Sequence, residues 1–511
     1  MKKTPHRPLH SALLGALLAV FGATAPAEAQ RLDLDPLPVE QVNADSIMKH
    51  IVELSSQVYE GRLAGTTGHE RAMAYAERVM RSYGLTRVEE QRFATECNEV
   101  ENAKFNVYVT TGAKERRVFT LGNEFCCAGM TGRGYVDAQM TFVGYGVCHP
   151  TFDEYKGVDV KGKVAVVLAG LPQWLPASVG EHFTTLRDKA RMAERHGAIA
   201  MLVINAVPSS PAFEPQVKMW CGERPHLGTF PILQLTLDCG REIFTTEREA
   251  LDSAIVGINR DHRSHSFTLF KHAEIDVNAR YRADAPTYNV LGMVEGSDRI
   301  MKNEIVVIGA SLDGPGRQGE TCLFPAADVN ASGVAAVLEA ARILGGAPYR
   351  PKRSILFVLF SSGEQQWQGS REFLMNYPRL KHVEAFVNVQ NVGGGDSLLV
   401  LGDGRYPTLW AVAQSHDSVA SRRYMAHPAE KSVPRGDARA FDQMRIPSIV
   451  ITTQGGLLHN HTTTDLWENI DRTILERATR LAMETVADLA DGRYQGRSPQ
   501  SKGYRYGLFP Y

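Results

Sequence analysis

The sequence lacks an excess of charge of either sign, and after its first 25 residues it lacks long apolar runs. Its 56 Lys and Arg residues nearly balance its 57 Asp and Glu residues, which leaves a net charge of −1 at pH 7. This balance argues against a broad basic surface for nucleic acid or anionic lipid. No later segment reaches the roughly 18 apolar residues that a membrane-spanning helix needs. We therefore expect no nucleic-acid partner and a mature chain without a membrane span.

Cysteine is also scarce. The seven cysteines do not form the two C-x-x-C pairs that a structural zinc knuckle uses, so the sequence argues against such a site. An exported chain can form disulfides, but an odd number leaves at least one thiol unpaired within the chain. We expect most of these cysteines to be buried, inert thiols, and the sequence does not fix any pairing.

The first 29 residues have the pattern of a secretory signal peptide. Lys2, Lys3 and Arg7 precede an apolar run over Ala12–Ala25, and the small residues of Ala27–Ala29 follow it. A positive start, a short apolar stretch and a small-x-small site are typical of a segment removed after export. The alternative is an uncleaved anchor. The pattern predicts an exported protein in the periplasm or outside the cell.

The rest of the chain predicts a discontinuous main domain with an insert. Residues 133–256 differ in character: strands at Gln139–Val147 and Val164–Leu168 precede a helix at 184–196 and a strand at Ala198–Ile204. We predict a β-rich insert over 133–256, a main domain over 30–132 and 257–490, and an extended tail over 491–511.

After residue 288, fully apolar strands alternate with helices, which predicts an α/β fold. The sheet is expected to be mixed, mostly parallel and covered by helices on both faces. The predicted strands are Ile305–Ile308, Ser354–Phe360, Phe386–Val389 and Ile449–Ile451. In such a sheet, ligands gather beyond the carboxyl ends of the strands. The segments to inspect are Ser311-Leu312-Asp313, Pro325 to Gly333, Gly363-Glu364, Asn388-Val389-Gln390 and His461 to Asp465.

This order of motifs resembles the zinc aminopeptidase and glutamate carboxypeptidase family, peptidase family M28. The resemblance spans most of residues 40–490 and is strongest over 288–395 and 436–470. The insert resembles a protease-associated domain, on the basis of Gly144-Tyr145-Gly146 and the Lys161-Gly162-Lys163 turn. The resemblance implies a zinc-exopeptidase type of fold and a peptide-sized cleft.

The family's chemistry, which the resemblance implies, uses two zinc ions about 3.5–4 Å apart that share a water. One Asp bridges the ions, each ion takes one His and one further carboxylate, and a separate Glu is the general base. In this chain four of those six positions carry residues that cannot act as the zinc ligand or general base expected there. Ser311 stands at a ligand His, Val329 at the bridging Asp, Gly363 at the base and Gln390 at a ligand Asp.

Two ligand positions are retained, at Glu364 and His461. Asp313 stands where the family orients the missing His, and Asp328 lies one residue before the bridging position. Asp328 could become a third ligand after a backbone shift. Since a zinc site wants at least three protein ligands, we expect no cofactor, or at most one weakly bound zinc. Structural roles are the alternative: Glu364 near a helix start, His461 in a loop, Asp313 in a turn, and Asp328 or Asn330 as an N-cap.

Three functions remain open on the sequence. The first is a family member without catalysis, a pseudoenzyme that binds a peptide or protein in its cleft. The second is an active metallo-aminopeptidase in which Asp328, Glu364 and His461 hold a single zinc. The third is a new hydrolytic chemistry built from Ser311. The sequence does not give the ligand or the oligomeric state.

Overall fold

The computed structural model describes most of the chain between residues 37 and 494. The predicted signal peptide and the tail from residue 495 lie outside the described residues, as does Cys221. Within 37–494 the residues not described are 38, 110–115, 181–182, 184, 207–225, 347, 418–424, 427–430 and 457–458.

In this part of the chain the secondary structure comprises eleven α-helices and eighteen strands. The helices α1 to α11 are Ala44–Leu54, Thr67–Ser82, Ala177–Gly180, Leu186–Arg195, Leu237–Ile243, Leu251–Asp261, Ser332–Gly345, Gln368–Asn376, Pro407–Asp417, Asp437–Gln443 and Arg472–Ala490. The strands β1 to β18 are Thr86–Val109, Arg116–Phe119, Phe125–Cys127, Gly134–Phe142, Cys148–His149, Phe152–Asp153, Val164–Leu168, Ala200–Ile204, Ile232–Leu235, Phe267–Val294, Ile305–Ser311, Arg317–Gln318, Cys322–Leu323, Ser354–Phe360, Val383–Val389, Ser397–Leu401, Met425–Ala426 and Ser448–Gln454.

Sixteen of these strands form one sheet, and its main path has the order β17-β16-β18-β15-β11-β14-β10-β4-β7-β8-β9-β3. The long antiparallel pair β1 and β10 joins its two halves, with Thr86 opposite Met293 and Val109 opposite Lys271. At one end β10 pairs with β14, and at the other it pairs with β4. The insert is therefore continuous with the main sheet.

The main half has parallel strands β14, β11, β15 and β18 at its centre. Successive residues of β11 point to opposite faces, as the two-residue period of a strand requires. Val306 and Ile308 pack with residues of α1, α2, α7, α9 and α11. Ile305 and Val307 pack on the other face with residues of α8 and α10. This arrangement confirms the predicted mixed, mostly parallel sheet with helices on both faces.

The insert half repeats this arrangement around the parallel strands β4, β7, β8 and β9. Val164 and Val166 face residues of α5 and α6, and Ala165 and Val167 face residues of α4. Every residue of β7 is buried, which explains its continuous apolar run.

One predicted strand boundary in the insert is wrong. The strand predicted over Gln139–Val147 is β4, which ends at Phe142. The chain turns after it because Gly144 and Gly146 have φ values of 51° and 70°. A Cβ at Gly144 would lie 1.7 Å from Oε1 of Glu154, so only glycine fits this turn.

Two findings bear on what the sequence predicted about membrane spans and cysteines. Among the described residues no helix is long and apolar enough to cross a membrane. The six described cysteines are unpaired thiols, and five of them are buried. Burial raises the pKa of each of these thiols, which disfavours the reactive thiolate.

Candidate functional site

The loops at the carboxyl ends of β11, β14 and β15 and the segment around His461 surround a cavity of about 250 Å³, called here the main cavity. The structure brings seven of the residues singled out from the sequence to its wall, and Asp328 is not among them. These seven are Ser311, Asp313, Val329, Gly363, Glu364, Gln390 and His461. They are joined by Asn330, Gln366, Trp367, Asn391 and Asn460.

Glu364 and His461, the two retained ligand positions, contact each other. Nε2 of His461 lies 3.0 Å from Oε1 of Glu364, and the side chains are only 11% and 12% exposed. Two donors of one tetrahedral zinc lie about 3.3 Å apart when each metal–ligand distance is near 2.0–2.1 Å. The spacing of this pair therefore suits two ligands of one ion, but a further protein ligand is required.

The carboxyl of Asp328, the third ligand expected after a backbone shift, is engaged in this structure by other groups. Oδ1 accepts hydrogen bonds from Oγ of Ser332 at 2.9 Å and from the Gly393 amide at 2.6 Å. Burial, followed by the nearby charge of Asp465, raises the pKa of Asp328 to about 7. Nothing in this arrangement brings the carboxyl to Glu364 and His461. The described residues contain no cluster of three or more His, Cys, Asp or Glu side chains that could hold a metal ion.

Nor do the other changed positions supply the ligands of a paired zinc site. Val329 presents an aliphatic side chain, which has no lone pair. Gln390 presents a neutral amide that packs against Gly436, since a Cβ on Gly436 would lie 2.4 Å from its Oε1 and Nε2 atoms. The residues present do not fit the two-zinc centre that the resemblance implies.

The base position has no side chain, and its Cα lies close to Ser311. A Cβ built on Gly363 would lie 2.5 Å from Oγ and 2.8 Å from Cβ of Ser311, and side-chain atoms essentially never approach so closely. A side chain at residue 363 would therefore require Ser311 or the backbone to shift, so we expect the two positions to be coupled.

Ser311 donates a hydrogen bond to Asp437, a residue that the sequence analysis missed. Its Oγ lies 2.6 Å from Oδ2 of Asp437, the first residue of α10. Asp437 is fully buried, and burial raises the pKa of its carboxyl to about 6. The available signal was an Asp directly after Gly436 at a helix start. Ser311 is thus bonded to a carboxyl, whereas Nε2 of His461 contacts Glu364.

Asp313 shapes the turn that carries Glu364. Its carboxylate accepts hydrogen bonds from the Gly363 amide at 2.8 Å and from the Glu364 amide at 3.0 Å. Burial, then the charge of Glu364, raises the pKa of Asp313 to about 7. Asp313 therefore holds the backbone beside the cavity, although the His that it would orient in the family is absent.

Neither Asp328 nor Asn330 caps α7, so the predicted N-cap is wrong. The residue that precedes the helix is Ala331, and it makes no side-chain cap. Asn330 instead bridges two strand ends: Nδ2 donates to the carbonyls of Ser311 at 3.3 Å and Val389 at 3.2 Å, and Oδ1 accepts from the Asn391 amide at 3.0 Å. The amide of Asn391 thus occupies Oδ1, the atom with which Asn330 would cap the helix.

Asp465 fixes the segment that carries Val329. Its two carboxylate oxygens accept hydrogen bonds from the amides of Asp328 at 2.7 Å and Val329 at 3.1 Å. Burial raises the pKa of Asp465. The loop at the bridging position is thus held by protein groups alone.

Four residues that line the main cavity have a left-handed backbone although they are not glycine. Such a conformation costs roughly 1–2 kcal/mol per residue, and it persists only where the surroundings impose it. The residues and φ values are Gln366 at 59°, Trp367 at 59°, Asn391 at 51° and His461 at 54°.

Comparisons with known proteins agree with the resemblance. Residues 289–486 match the sequence profile of peptidase family M28, and residues 135–243 match that of the PA domain. Human transferrin receptor protein 2 is 32% identical over 131 residues, which cover 25% of this chain and 14% of that protein. Transferrin receptor protein 1 of Gallus gallus is 30% identical over 120 residues, 23% of this chain and 14% of that protein. The chain thus spans about a seventh of the length of these curated relatives.

Solved structures share the fold over nearly the whole chain. An aminopeptidase from Aneurinibacillus sp. strain AM-1 superposes with a TM-score of 0.63 at 19% identity, covering 88% of this chain and 95% of that one. The zinc aminopeptidase BSAP from Bacillus subtilis gives 0.63 at 19% identity, with 90% and 97% covered. A peptidase M28 precursor from Shewanella amazonensis gives 0.64 at 17% identity, with 90% and 96% covered. At these identities the likeness concerns the fold alone.

The profile matches and the shared fold confirm the resemblance drawn from the motifs. The PA match at 135–243 falls within the insert predicted over 133–256. Residues 289–486 therefore match peptidase family M28, residues 135–243 match the PA domain, and the chain has the fold of the aminopeptidases on which it superposes.

Proposed function

We propose that this protein is an exported, catalytically inactive member of the family that binds a peptide or protein segment in the main cavity. The observation that carries the proposal is that Gly363, at the wall of the main cavity, has no side chain and so supplies no general base. General base catalysis is worth roughly 10²–10⁴-fold in rate. The loss of the bridging carboxylate at Val329 removes the paired metal centre as well.

Two further observations support binding as the retained role. The left-handed backbone at Gln366, Trp367, Asn391 and His461 is the kind of strain that clusters at functional sites, and here it surrounds a cavity whose base and bridging-ligand positions carry Gly363 and Val329. The transferrin receptors, with which the chain shares a segment, are by their names receptors for a protein. Both observations favour recognition over hydrolysis.

The proposal includes the expectation that the protein holds no zinc, or at most one weakly bound zinc. Glu364 and His461 can offer two donors, so we propose that the mature chain binds zinc weakly or not at all. With Asp328 engaged by Ser332 and Gly393, the described residues offer no third ligand that completes a single-zinc aminopeptidase site. A chelator-resistant zinc that is lost in Glu364→Ala would contradict this view.

Hydrolysis is tested with a panel of aminoacyl chromogenic substrates and added zinc, with Bacillus subtilis BSAP assayed in parallel. We expect kcat/KM at least about 10⁴-fold below that of BSAP, since both the base and the bridging ligand are missing. Zinc-dependent turnover near that of BSAP, abolished both by chelator and by Glu364→Ala, would overturn the proposal in favour of the single-zinc enzyme.

Binding is tested through the fluorescence of Trp367, which lines the main cavity. A mixture of short peptides is titrated into the mature chain and into Trp367→Phe, which identifies the signal of this residue. Val329→Trp should fill the cavity and abolish the saturable change. Val256→Trp, at a 59% exposed position of α6 in the insert, adds the same side chain elsewhere and should leave it intact. Equal fluorescence changes in Val329→Trp and Val256→Trp would show that the peptides do not bind in the main cavity.

A further inference from the structure

A second cavity of about 260 Å³ lies between the N-terminal turn of α2 and the strands β1 and β10. It is called here the arginine cavity, because Arg92, Arg280 and Arg282 line it. We propose that the arginine cavity binds an anionic group of the carboxylate or phosphate type. This proposal goes beyond the function of the main cavity and does not depend on it.

Two of the arginines share one carboxylate. Arg280 lies opposite Glu99 in the β1–β10 pair, and its Nη2 donates to Oε2 of Glu99 at 2.6 Å. Arg282 donates to the other oxygen of the same carboxylate. One negative charge between two guanidinium groups leaves one positive charge in excess. Each guanidinium carries five N–H donors, so donors remain for a second anion.

Arg282 is held in place by further acceptors. Its Nη2 donates to the Gly65 carbonyl at 2.8 Å and lies 3.5 Å from Sγ of Cys97. The side chain is 33% exposed, against 61% for Arg280. A fixed guanidinium beside a more accessible one is suited to a planar anion, because less side-chain entropy is lost when the anion binds.

Arg92 forms the third positive part of the wall. Its guanidinium lies over the ring of Tyr288, 5.2 Å from the centroid, and pairs with Glu90, which does not line the cavity. Stacking on an aromatic ring orients an arginine without using its N–H donors. Arg92 is 70% exposed, so an anion from solution can reach it.

The start of α2 adds a weaker positive contribution. Thr66 is the N-cap, and its hydroxyl accepts from the His69 amide at 3.4 Å. Thr67 begins the helix, and both threonines line the cavity. The N-terminal turn of a 16-residue helix carries partial positive charge and favours an anion.

The wall of the arginine cavity also contains acidic side chains, which oppose the positive charge of the arginines. Glu70 and Glu99 line the cavity with the three arginines. His69 also lines it, but burial lowers the pKa of this imidazole to about 3, so it is neutral. Its Nε2 lies 2.8 Å from Oγ of Ser361. Three guanidinium groups therefore face two carboxylates inside the cavity, and Glu90 balances Arg92 from outside it. The cavity favours a negative ligand through its guanidinium N–H donors and not through a net charge.

The test measures binding of inorganic phosphate and of acetate to the mature chain by titration calorimetry at constant ionic strength. The double variant Arg92→Gln/Arg280→Gln should weaken binding about tenfold or more, since it removes two charge-assisted contacts. Glu70→Gln should tighten binding about threefold, because it removes a like charge. Misfolding could explain a loss of affinity in the arginine variant, but it could not explain a gain of affinity in Glu70→Gln. The two variants together therefore separate a charge effect from misfolding.

Three controls define the remaining outcomes. Arg241→Gln removes one positive charge from the insert surface and should leave binding unchanged, as should Val329→Trp in the main cavity. A peptide with a free C-terminal carboxylate, compared with its amide, separates a peptide source of the anion from free phosphate. Absence of saturable binding, equal binding by all variants, or weaker binding in Glu70→Gln would overturn the proposal.

Discussion

Two groups of residues at the same edge of the sheet have opposite characters. The support network makes many hydrogen bonds within the protein and fixes the loops, whereas the lining positions have lost the donors that a zinc enzyme uses. The support network is Arg62, Asp313, Asn330 and Asp465. The name lining positions is kept for the four changed positions Ser311, Val329, Gly363 and Gln390, although Asp313 and Asn330 also lie at the cavity wall. In this chain, hydrogen bonds between protein groups hold the loops of the main cavity although the four changed positions offer no zinc ligands of the expected kind.

Arg62 illustrates how complete the support network is. The side chain is fully buried, and its guanidinium donates only to backbone carbonyls. These belong to Leu54 at 2.5 Å, Leu312 at 2.9 Å, Pro325 at 3.0 Å and Ala326 at 2.7 Å. Burial lowers the pKa of Arg62 to about 10, which leaves it charged at neutral pH. One side chain thereby joins α1 to both loops beside the main cavity.

The largest expected effect is therefore on Arg62. Arg62→Met keeps the side-chain volume but leaves four buried carbonyls without this donor. We expect a loss of about 3–5 kcal/mol in the free energy of unfolding, because each unsatisfied buried group costs about 1–3 kcal/mol. Urea unfolding followed by circular dichroism measures it.

The control for Arg62 is Arg241→Met, whose side chain is 48% exposed and pairs with acidic residues on the surface. Exposed pairs contribute about 0–1 kcal/mol, so this variant should stay near the parent. A loss below about 1 kcal/mol in Arg62→Met would show that the loops do not depend on the support network.

A smaller effect is expected where the two groups meet, at Gly363. Gly363→Ala places a Cβ against Ser311 and should lower the free energy of unfolding by about 1–3 kcal/mol through overpacking. Ser311→Gly removes the opposing atoms, so the double variant should recover much of that loss. A thermodynamic cycle of the four proteins gives the coupling, and additive losses would contradict the proposed dependence of the two positions.

The fold could be predicted from the sequence because its signals are local. The apolar run at Ser354–Phe360 coincides with β14, and the helix predicted at 184–196 is α4, Leu186–Arg195. The order of the motifs also located the main cavity, since the strand ends at Ser311 and Val389 meet there. Strand periodicity, and the rule that ligands gather beyond the carboxyl ends of parallel strands, require no knowledge of contacts between distant residues.

The details of the site could not be predicted, because they depend on contacts between residues far apart in the chain. Asp437 reaches Ser311 over 126 positions, and Asp465 reaches Asp328 over 137. Nothing near Asp328 in the sequence tells whether its carboxyl faces the main cavity or Gly393. The crowding of Gly363 likewise arises only when β11 and β14 pair side by side.

The pH dependence of stability tests the buried carboxyl beside the lining position Val329. Asp328 has a pKa of about 7 against an ordinary 3.8. Between these values the unfolded chain has lost the proton that the folded chain keeps, so stability falls as pH rises, and the penalty is complete above pH 7. Asp328→Asn removes this pH dependence. The free energy of unfolding of the variant, relative to that of the parent, should therefore rise by about 1 kcal/mol between pH 6 and pH 8.

Unfolding in urea at the two pH values gives that difference directly. Asp313 and Asp437 also have raised pKa values, and both remain in the variant, so their contributions cancel in the comparison. An Asp328→Asn protein whose stability changes with pH as the parent's does would mean that the carboxyl ionises as freely in the folded chain as in the unfolded one.

The smallest effect is expected at a lining position that contacts no part of the support network through its side chain. Gln390 packs against Gly436 at the half-buried wall of the main cavity. Gln390→Ala should change the free energy of unfolding by no more than about 0.5 kcal/mol, because it leaves no buried partner unsatisfied. The same urea experiment measures it beside Arg62→Met. If the two variants lose similar stability, the lining positions belong to the structural framework, and the separation between support and lining fails.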